Sequence, residues 1–181
     1  MKPLEKELKH RIGLNCYGSD KDNLASVVLA LLRKEGETLS VAESCTGGGI
    51  GACISSVEGA SDVFLGGVIA YSNYTKQTML NVNENLIEKY GAVSAPVVEA
   101  MAKGIQEKLQ TDWAIAISGI AGPTGATKDK SVGCVEIGIS GPNSLKSISI
   151  NFGPHRRRTQ IQELSVVRAL DEIRIILLNK H

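Results

Sequence analysis

The chain of 181 residues is short of aromatic rings, with two Phe, one Trp and four Tyr. So few rings cannot build the stacking platform on which single-strand nucleic-acid binders rely. It also lacks an excess of one charge. Lys and Arg number 20 against 19 Asp and Glu, a formal charge of +1, whereas a general nucleic-acid binder needs a net basic surface. No run approaches the roughly 18–20 apolar residues of a membrane helix. The segment Met1 to Arg11 is charged and has no apolar core of the kind a secretion signal carries. The cysteines, at 16, 45, 53 and 134, form no CxxC pair, and with His10, His155 and His181 they offer no zinc pattern. These absences lead us to expect a protein of the reducing cytoplasm, with free thiols, no metal and no membrane or nucleic-acid partner.

What is present is globular: 43% of residues are hydrophobic and 22% charged. The length suits one domain. Residues 1–21 read as a charged lead-in broken at Tyr17-Gly18-Ser19, and residues 22–181 as the folded unit. A helix capped by Ser19 or Asp20 carries Leu24, Val27, Val28, Leu31 and Leu32 on one stripe and stops at Gly36. Thr38–Ala42 reads as a strand, and a helix opens after Gly47. Gly66–Ser72 reads as a second buried strand, with helices following over Asn73–Leu80 and Glu84–Tyr90. Ser94 caps the next helix, which has Pro96 in its first turn. Trp113–Ser118 is apolar on both faces, the mark of a central strand. A hairpin of Val132–Ser140 and Leu145–Phe152 turns at Gly141-Pro142-Asn143, and a last helix starts near Arg156. Helices alternating with strands, then a hairpin, predict a three-layer α/β/α sandwich over a mixed, mostly parallel sheet.

Chemistry is expected at two glycine-bearing turns after strand ends, Glu43-Ser44-Cys45-Thr46-Gly47-Gly48-Gly49 and Ser118-Gly119-Ile120-Ala121-Gly122-Pro123. In open α/β sheets, ligands bind beyond the carboxyl ends of strands. Glycine also lets backbone N–H groups approach an anion. The spacing Gly47, Gly49, Ala52 matches GxGxxA, yet no acidic residue follows at the distance a dinucleotide site needs. No GxxxxGK[ST] motif exists. Ser44, at a strand-to-helix junction, can be a nucleophile or merely a cap. Lys76 can serve as its base if burial keeps the amine neutral, and Tyr71 could relay a proton. His10 and His155 are other bases that folding could bring near. Cys45 is the rival nucleophile. The cluster His155-Arg156-Arg157-Arg158 follows a Gly-Pro turn, where an arginine could fork onto phosphate.

Ala42-Glu43-Ser44-Cys45-Thr46-Gly47-Gly48, Tyr71-Ser72-Asn73 with Lys76, Gly91-Ala92-Val93-Ser94 and Ser118-Gly119-Ile120-Ala121-Gly122-Pro123 closely resemble the CinA C-terminal domain family. The resemblance runs in order from about Asp22 to Leu178. That family is named for competence and damage induction, and many members are nicotinamide-nucleotide amidases. The resemblance implies hydrolysis of nicotinamide mononucleotide to nicotinate mononucleotide and ammonia, without metal or cofactor, by a homodimer. It implies Ser44 as nucleophile with Lys76 and Tyr71 as the activating pair. Thr46, Gly47, Gly48, Ser118 and Gly119 are then expected to meet the substrate. The family's phosphate arginine lies in a Gly-Asp-Arg turn. Here Gly153-Pro154-His155-Arg156 is one residue longer and lacks the aspartate, so Arg156 is the expected phosphate ligand, with Arg157 second. The competing expectation is a non-catalytic nucleotide- or partner-binding module of the competence or DNA-damage response.

Overall fold

Helices and strands alternate through the computed structural model, which describes residues 7, 11–19 and 21–180. Helix α1 spans Leu24–Glu35. Its cap is Asn23, whose side chain accepts the Ser26 N–H at 2.9 Å while the Ser26 hydroxyl accepts the Asn23 N–H at 3.0 Å. Neither expected cap fills that role. Ser19 donates instead to the Asp22 carboxylate, and Asp20 lies outside the described residues. Gly36 ends the helix in the left-handed conformation, as its position predicts.

Strand β1 (Leu39–Glu43), helix α2 (Gly49–Ser55), strand β2 (Phe64–Ile69), helices α3 (Asn73–Leu80), α4 (Glu84–Tyr90) and α5 (Ala95–Leu109) follow. Strand β3 (Trp113–Gly119), the hairpin β4 (Cys134–Gly141) and β5 (Ser144–Asn151), and helix α6 (Arg158–Leu178) complete the chain. The five strands order as β2-β1-β3-β4-β5. β2 and β3 run parallel to β1, and the hairpin adds two antiparallel strands beside β3. Helices α1, α2 and α6 cover one face and α3, α4 and α5 the other. This is the three-layer sandwich that the alternation of elements predicts.

The two faces differ in residue size. Leu39, Val41, Trp113, Ile115 and Ile117 point into the core beneath α1, α2 and α6. Ala42, Ala114 and Ala116 point to the other side. Ala42, Ala116 and Gly138 are paired in register across β1, β3 and β4, so α5 can lie close on a nearly bare sheet. A Cβ added at Gly138 would stand 2.5 Å from the Val98 carbonyl oxygen. That contact is far inside van der Waals range.

Three boundaries depart from expectation. β2 covers Phe64–Ile69 and is an edge strand with alternating exposure, not a buried strand over Gly66–Ser72. Among the described residues no strand pairs with its outer edge, and Leu65 and Ile69 are about half exposed. The Ser94 hydroxyl donates back to the Gly91 carbonyl and does not cap α5. The last helix starts at Arg158, because the Gly-Pro turn continues through Arg156. Gly138→Ala is expected to destabilise the domain by about 1–3 kcal/mol, an overpacking cost. The urea midpoint reads it, and an unchanged midpoint would show that α5 can retreat.

Candidate active site

The parallel arrangement brings the carboxyl ends of β1, β2 and β3 to one rim of the sheet. Ser44 is the first residue past β1, and its N–H extends the ladder by donating to the Ile117 carbonyl at 3.0 Å. The side chain is therefore held at the rim, nearly buried at 8% exposure. From past β2, Ala70 and Tyr71 reach the same rim, and Ser72 caps α3 by accepting the Thr75 N–H. One turn into α3 stands Lys76, only 1% exposed.

Lys76 Nζ lies 3.1 Å from Ser44 Oγ and donates to the Ala70 carbonyl at 2.8 Å. Both partners are neutral. Among the described residues no carboxylate pairs with this amine. Burial strips it of water, which disfavours the charged form and lowers its pKa from the ordinary 10.5; the neighbouring Cys45 opposes this weakly. A lysine kept neutral by desolvation can take a proton from the hydroxyl it touches.

A pocket of about 230 Å3 opens over Ser44, walled by Tyr71, Asn73, Ala92, Val93, Ser118, Gly119 and Arg158. Ser118, on β3, donates its hydroxyl to the Ala92 carbonyl at 2.8 Å and so ties the strand end to the loop before α5. Tyr71 is 60% exposed. Its hydroxyl accepts an N–H from Arg158 at 2.8 Å, and the same guanidinium donates to the Gly122 carbonyl at 3.0 Å.

Several expected contacts fall elsewhere. Arg156 is exposed and donates back to the Phe152 carbonyl, while the Arg157 N–H engages Gln160 at the start of α6. Arg158 is the arginine at the pocket. The phase of α6 shows why: Arg158 shares a face with Ile161 and Ser165, three and seven residues on, and both are fully buried. The spacing Arg158, Ile161, Ser165 was the available signal. His155 is exposed and does not line the pocket, and His10 lies outside the described residues.

Thr46, Gly47 and Gly48 do not wall the pocket either. They wrap around Glu43, a side chain only 1% exposed. Its Oε2 accepts the Thr46 hydroxyl at 2.6 Å and the N–H groups of Gly48 and Ile50, and its Oε1 accepts the Gly51 N–H at 2.8 Å. Gly47 and Gly48 both take positive φ to close this wrap, and the Gly47 N–H returns to the Ser44 carbonyl. The backbone donors expected to face a ligand are thus largely engaged within the turn. Cys45 and Thr46 keep the N–H groups of this turn that no backbone or carboxylate oxygen takes. Sequence reasoning missed Glu43, although an acid directly before a glycine-rich turn is itself a signal.

Cys45 is 4% exposed. Burial pushes its thiol up to about 12; a hydrogen bond to its own backbone opposes this, the Glu43 charge adds to the rise, and Lys76 and Arg158 lower it by less. A thiolate nucleophile is therefore disfavoured near neutral pH. Among the described residues no three His, Cys, Asp or Glu side chains gather as a metal centre requires. None of the described helices is long and apolar enough to cross a membrane.

The fold and the rim define an α/β/α domain with a buried Ser–Lys pair where parallel strands end. Comparison with known proteins places it further: the CinA C-terminal domain model matches residues 21–177, and the chain belongs to that family. It is 56% identical over 177 residues to a CinA-like protein of Prochlorococcus marinus (strain MIT 9313), covering 98% of this chain and 41% of that protein. A CinA-like protein of Parasynechococcus marenigrum is 56% identical over 176 residues, covering 97% of this chain and 42% of its own length. The chain thus spans about two fifths of these relatives. Among solved structures, the competence/damage inducible protein CihA of Agrobacterium tumefaciens superposes with a TM-score of 0.82 at 32% identity, covering 90% of this chain and 98% of that one. A CinA superfamily protein of Klebsiella pneumoniae gives 0.82 at 28% identity, covering 86% and 96%.

Replacing Glu43 by Gln sets an amide N–H against at least one of the donors that now surround it. The expected loss is about 1–3 kcal/mol of stability as the turn loosens. Thermal unfolding checks it, and an unchanged midpoint would remove the organising role of Glu43.

Proposed function

We propose that the domain is a metal-independent amidase that converts nicotinamide mononucleotide to nicotinate mononucleotide and ammonia. The observation that carries the reading is the 3.1 Å contact between Lys76 Nζ and Ser44 Oγ, both buried side chains at the floor of the pocket. Family membership supports the substrate class.

The neutral Lys76 amine accepts the Ser44 proton as Oγ attacks the carboxamide carbon. The carbonyl oxygen gains negative charge and is received by the N–H of Cys45, which lines the pocket, in a role where one donor is worth about 3–4 kcal/mol. The Lys76 ammonium then protonates the departing nitrogen, and ammonia leaves. Water, deprotonated by the same amine, attacks the acyl-serine; the bond to Oγ then breaks, Lys76 returns that proton to Oγ, and the released acid, which carries one oxygen from the water, ionises in solvent. The Ala70 carbonyl aims the amine throughout. Arg158 fixes the Tyr71 hydroxyl at the pocket wall, where it can relay a proton between the amine and the substrate. Ser118 and Gly119 give the wall opposite.

Ser44→Ala is expected to abolish ammonia release from the mononucleotide without unfolding the domain, as an ammonia-coupled assay beside circular dichroism would show. Near-wild-type turnover would eliminate the serine mechanism. Heat of binding with no product from the unmodified chain would instead establish a nucleotide-binding module.

The pH profile gives an independent check. Only the neutral amine is a base, so kcat/KM should rise about tenfold per pH unit on its acid limb and level off above the lowered Lys76 pKa. That plateau is expected below the ordinary lysine value of 10.5. A rate that keeps climbing past that value would exclude Lys76 as the base.

A further inference from the structure

The turn that carries Ser44 satisfies its carbonyls from within, with one exception. The Ser44 carbonyl accepts the Gly47 N–H at 3.1 Å, and the Thr46 carbonyl accepts the Gly49 N–H at 3.2 Å. Among the described residues no backbone N–H reaches the Cys45 carbonyl between them. Its donor comes from α6, where Gln162 gives it a side-chain N–H from Nε2 at 2.8 Å across 117 positions of sequence. Gln162 is half-buried and lies one turn beyond Arg158, on the same face of the helix. A turn further on, Val166 packs at the head of α2, where a Cβ added at Gly49 would stand 3.0 Å from its Cγ2. The helix thus lies close enough to the turn for Gln162 to reach it. We propose that Gln162 is a positioning residue of the amidase, fixing the Cys45 backbone so that its N–H meets the substrate's carbonyl oxygen.

The inference rests on the amidase reading for the reaction and on the bonding of the turn for the role. A trans peptide holds its N–H opposite its C=O. With the Ser44 carbonyl turned onto Gly47, the Cys45 N–H faces the other way. The peptide on the far side of Cys45 is held through its carbonyl by Gln162. With both planes fixed, Cys45 has no free rotation on either side of its Cα. Removing the Gln162 amide releases the second plane and leaves the carbonyl of a nearly buried residue without its partner. A donor fixed in advance needs no reorganisation when charge develops on the oxygen, and a loosened one does. That charge exists only in the transition state, so the loss should fall on turnover and not on binding. Gln162 bonds to neither member of the Ser–Lys pair, so the titration of Lys76 should stay where it is.

Three variants separate these effects. Gln162→Met keeps the length and removes the donor, Gln162→Asn keeps the donor and removes the reach, and Gln162→Lys restores an N–H at similar reach. In ammonia release from nicotinamide mononucleotide, the Met and Asn variants are expected to lose at least about tenfold in kcat. Their KM should stay within about twofold and the acid limb of their pH profile should not move, while the Lys variant recovers most of the rate. Thermal unfolding shows whether either variant has failed to fold, and the other then reports. A second readout needs no turnover. A fluorophosphonate reacts as Ser44 Oγ bonds to phosphorus, fluoride leaves and the amine takes the hydroxyl proton, with charge growing on the phosphoryl oxygen. Mass spectrometry should find this adduct forming at least about tenfold more slowly in the Met and Asn variants. Unchanged kcat and labelling in both would overturn the role. So would a loss carried by KM, a loss that Gln162→Lys fails to relieve, or an unmodified chain whose Ser44 is never labelled. Labelling that depends on Gln162, without ammonia from the unmodified chain, upholds the positioning role and rejects the amidase.

Discussion

A primary amine with two neutral partners and almost no water is the constraint around which this domain is organised. Charging Lys76 where it lies would bury an ion without a counter-ion, which costs several kcal/mol. The folded chain relieves that cost by binding the proton less tightly, hence the lowered pKa. The unfolded chain holds the same proton up to the ordinary lysine value. Stability contributed by this group therefore rises with pH between the lowered value and 10.5, and the penalty is complete below both. At neutral pH the site works against the fold. The Ala70 carbonyl, the Ser72 cap of α3 and the packing of Leu80 against α5 hold the amine in place against that penalty.

The sheet supplies the positioning. Parallel strands end together, so three short segments deliver Ser44, Ala70 with Tyr71, and Ser118 to one rim without a long loop. The antiparallel hairpin then returns the chain to that rim before α6 begins, and the first residue of α6 is Arg158. The bare row of Ala42, Ala116 and Gly138 lets α5 sink onto the sheet. The segment leading into α5 carries Ala92 and Val93, which wall the serine pocket. Close packing on one face and the shape of the ligand site on that face are consequences of the same small side chains.

Much of this was legible in the chain. The apolar run at Trp113, the stripes of α1 and α5, and the glycine turns at strand ends all fix elements by periodicity and turn chemistry. The meeting of Ser44 with Lys76 followed from placing both at a strand's carboxyl end. Illegible were features set by helix phase and by side-chain reach. Three consecutive arginines look alike until the start of α6 is known, and one residue of shift decides which faces the pocket. β2 reads as buried because its apolar residues do not reveal that nothing pairs with its outer edge. Gln162 and Cys45 are 117 positions apart, and only the docking of α6 unites them.

The glycine-rich turn after β1 carries a more general lesson. Its spacing resembles an anion cradle, and it is one, but the anion is the chain's own. Glu43 occupies the N–H groups at the head of α2, which fixes the turn and leaves a foreign phosphate nowhere to bind there. A ligand with its own negative charge would also meet the Glu43 carboxylate nearby. The fixed cation at the rim stands apart from that turn: Arg158 reaches the Ser44 pocket with its guanidinium held by the Gly122 carbonyl and the Tyr71 hydroxyl.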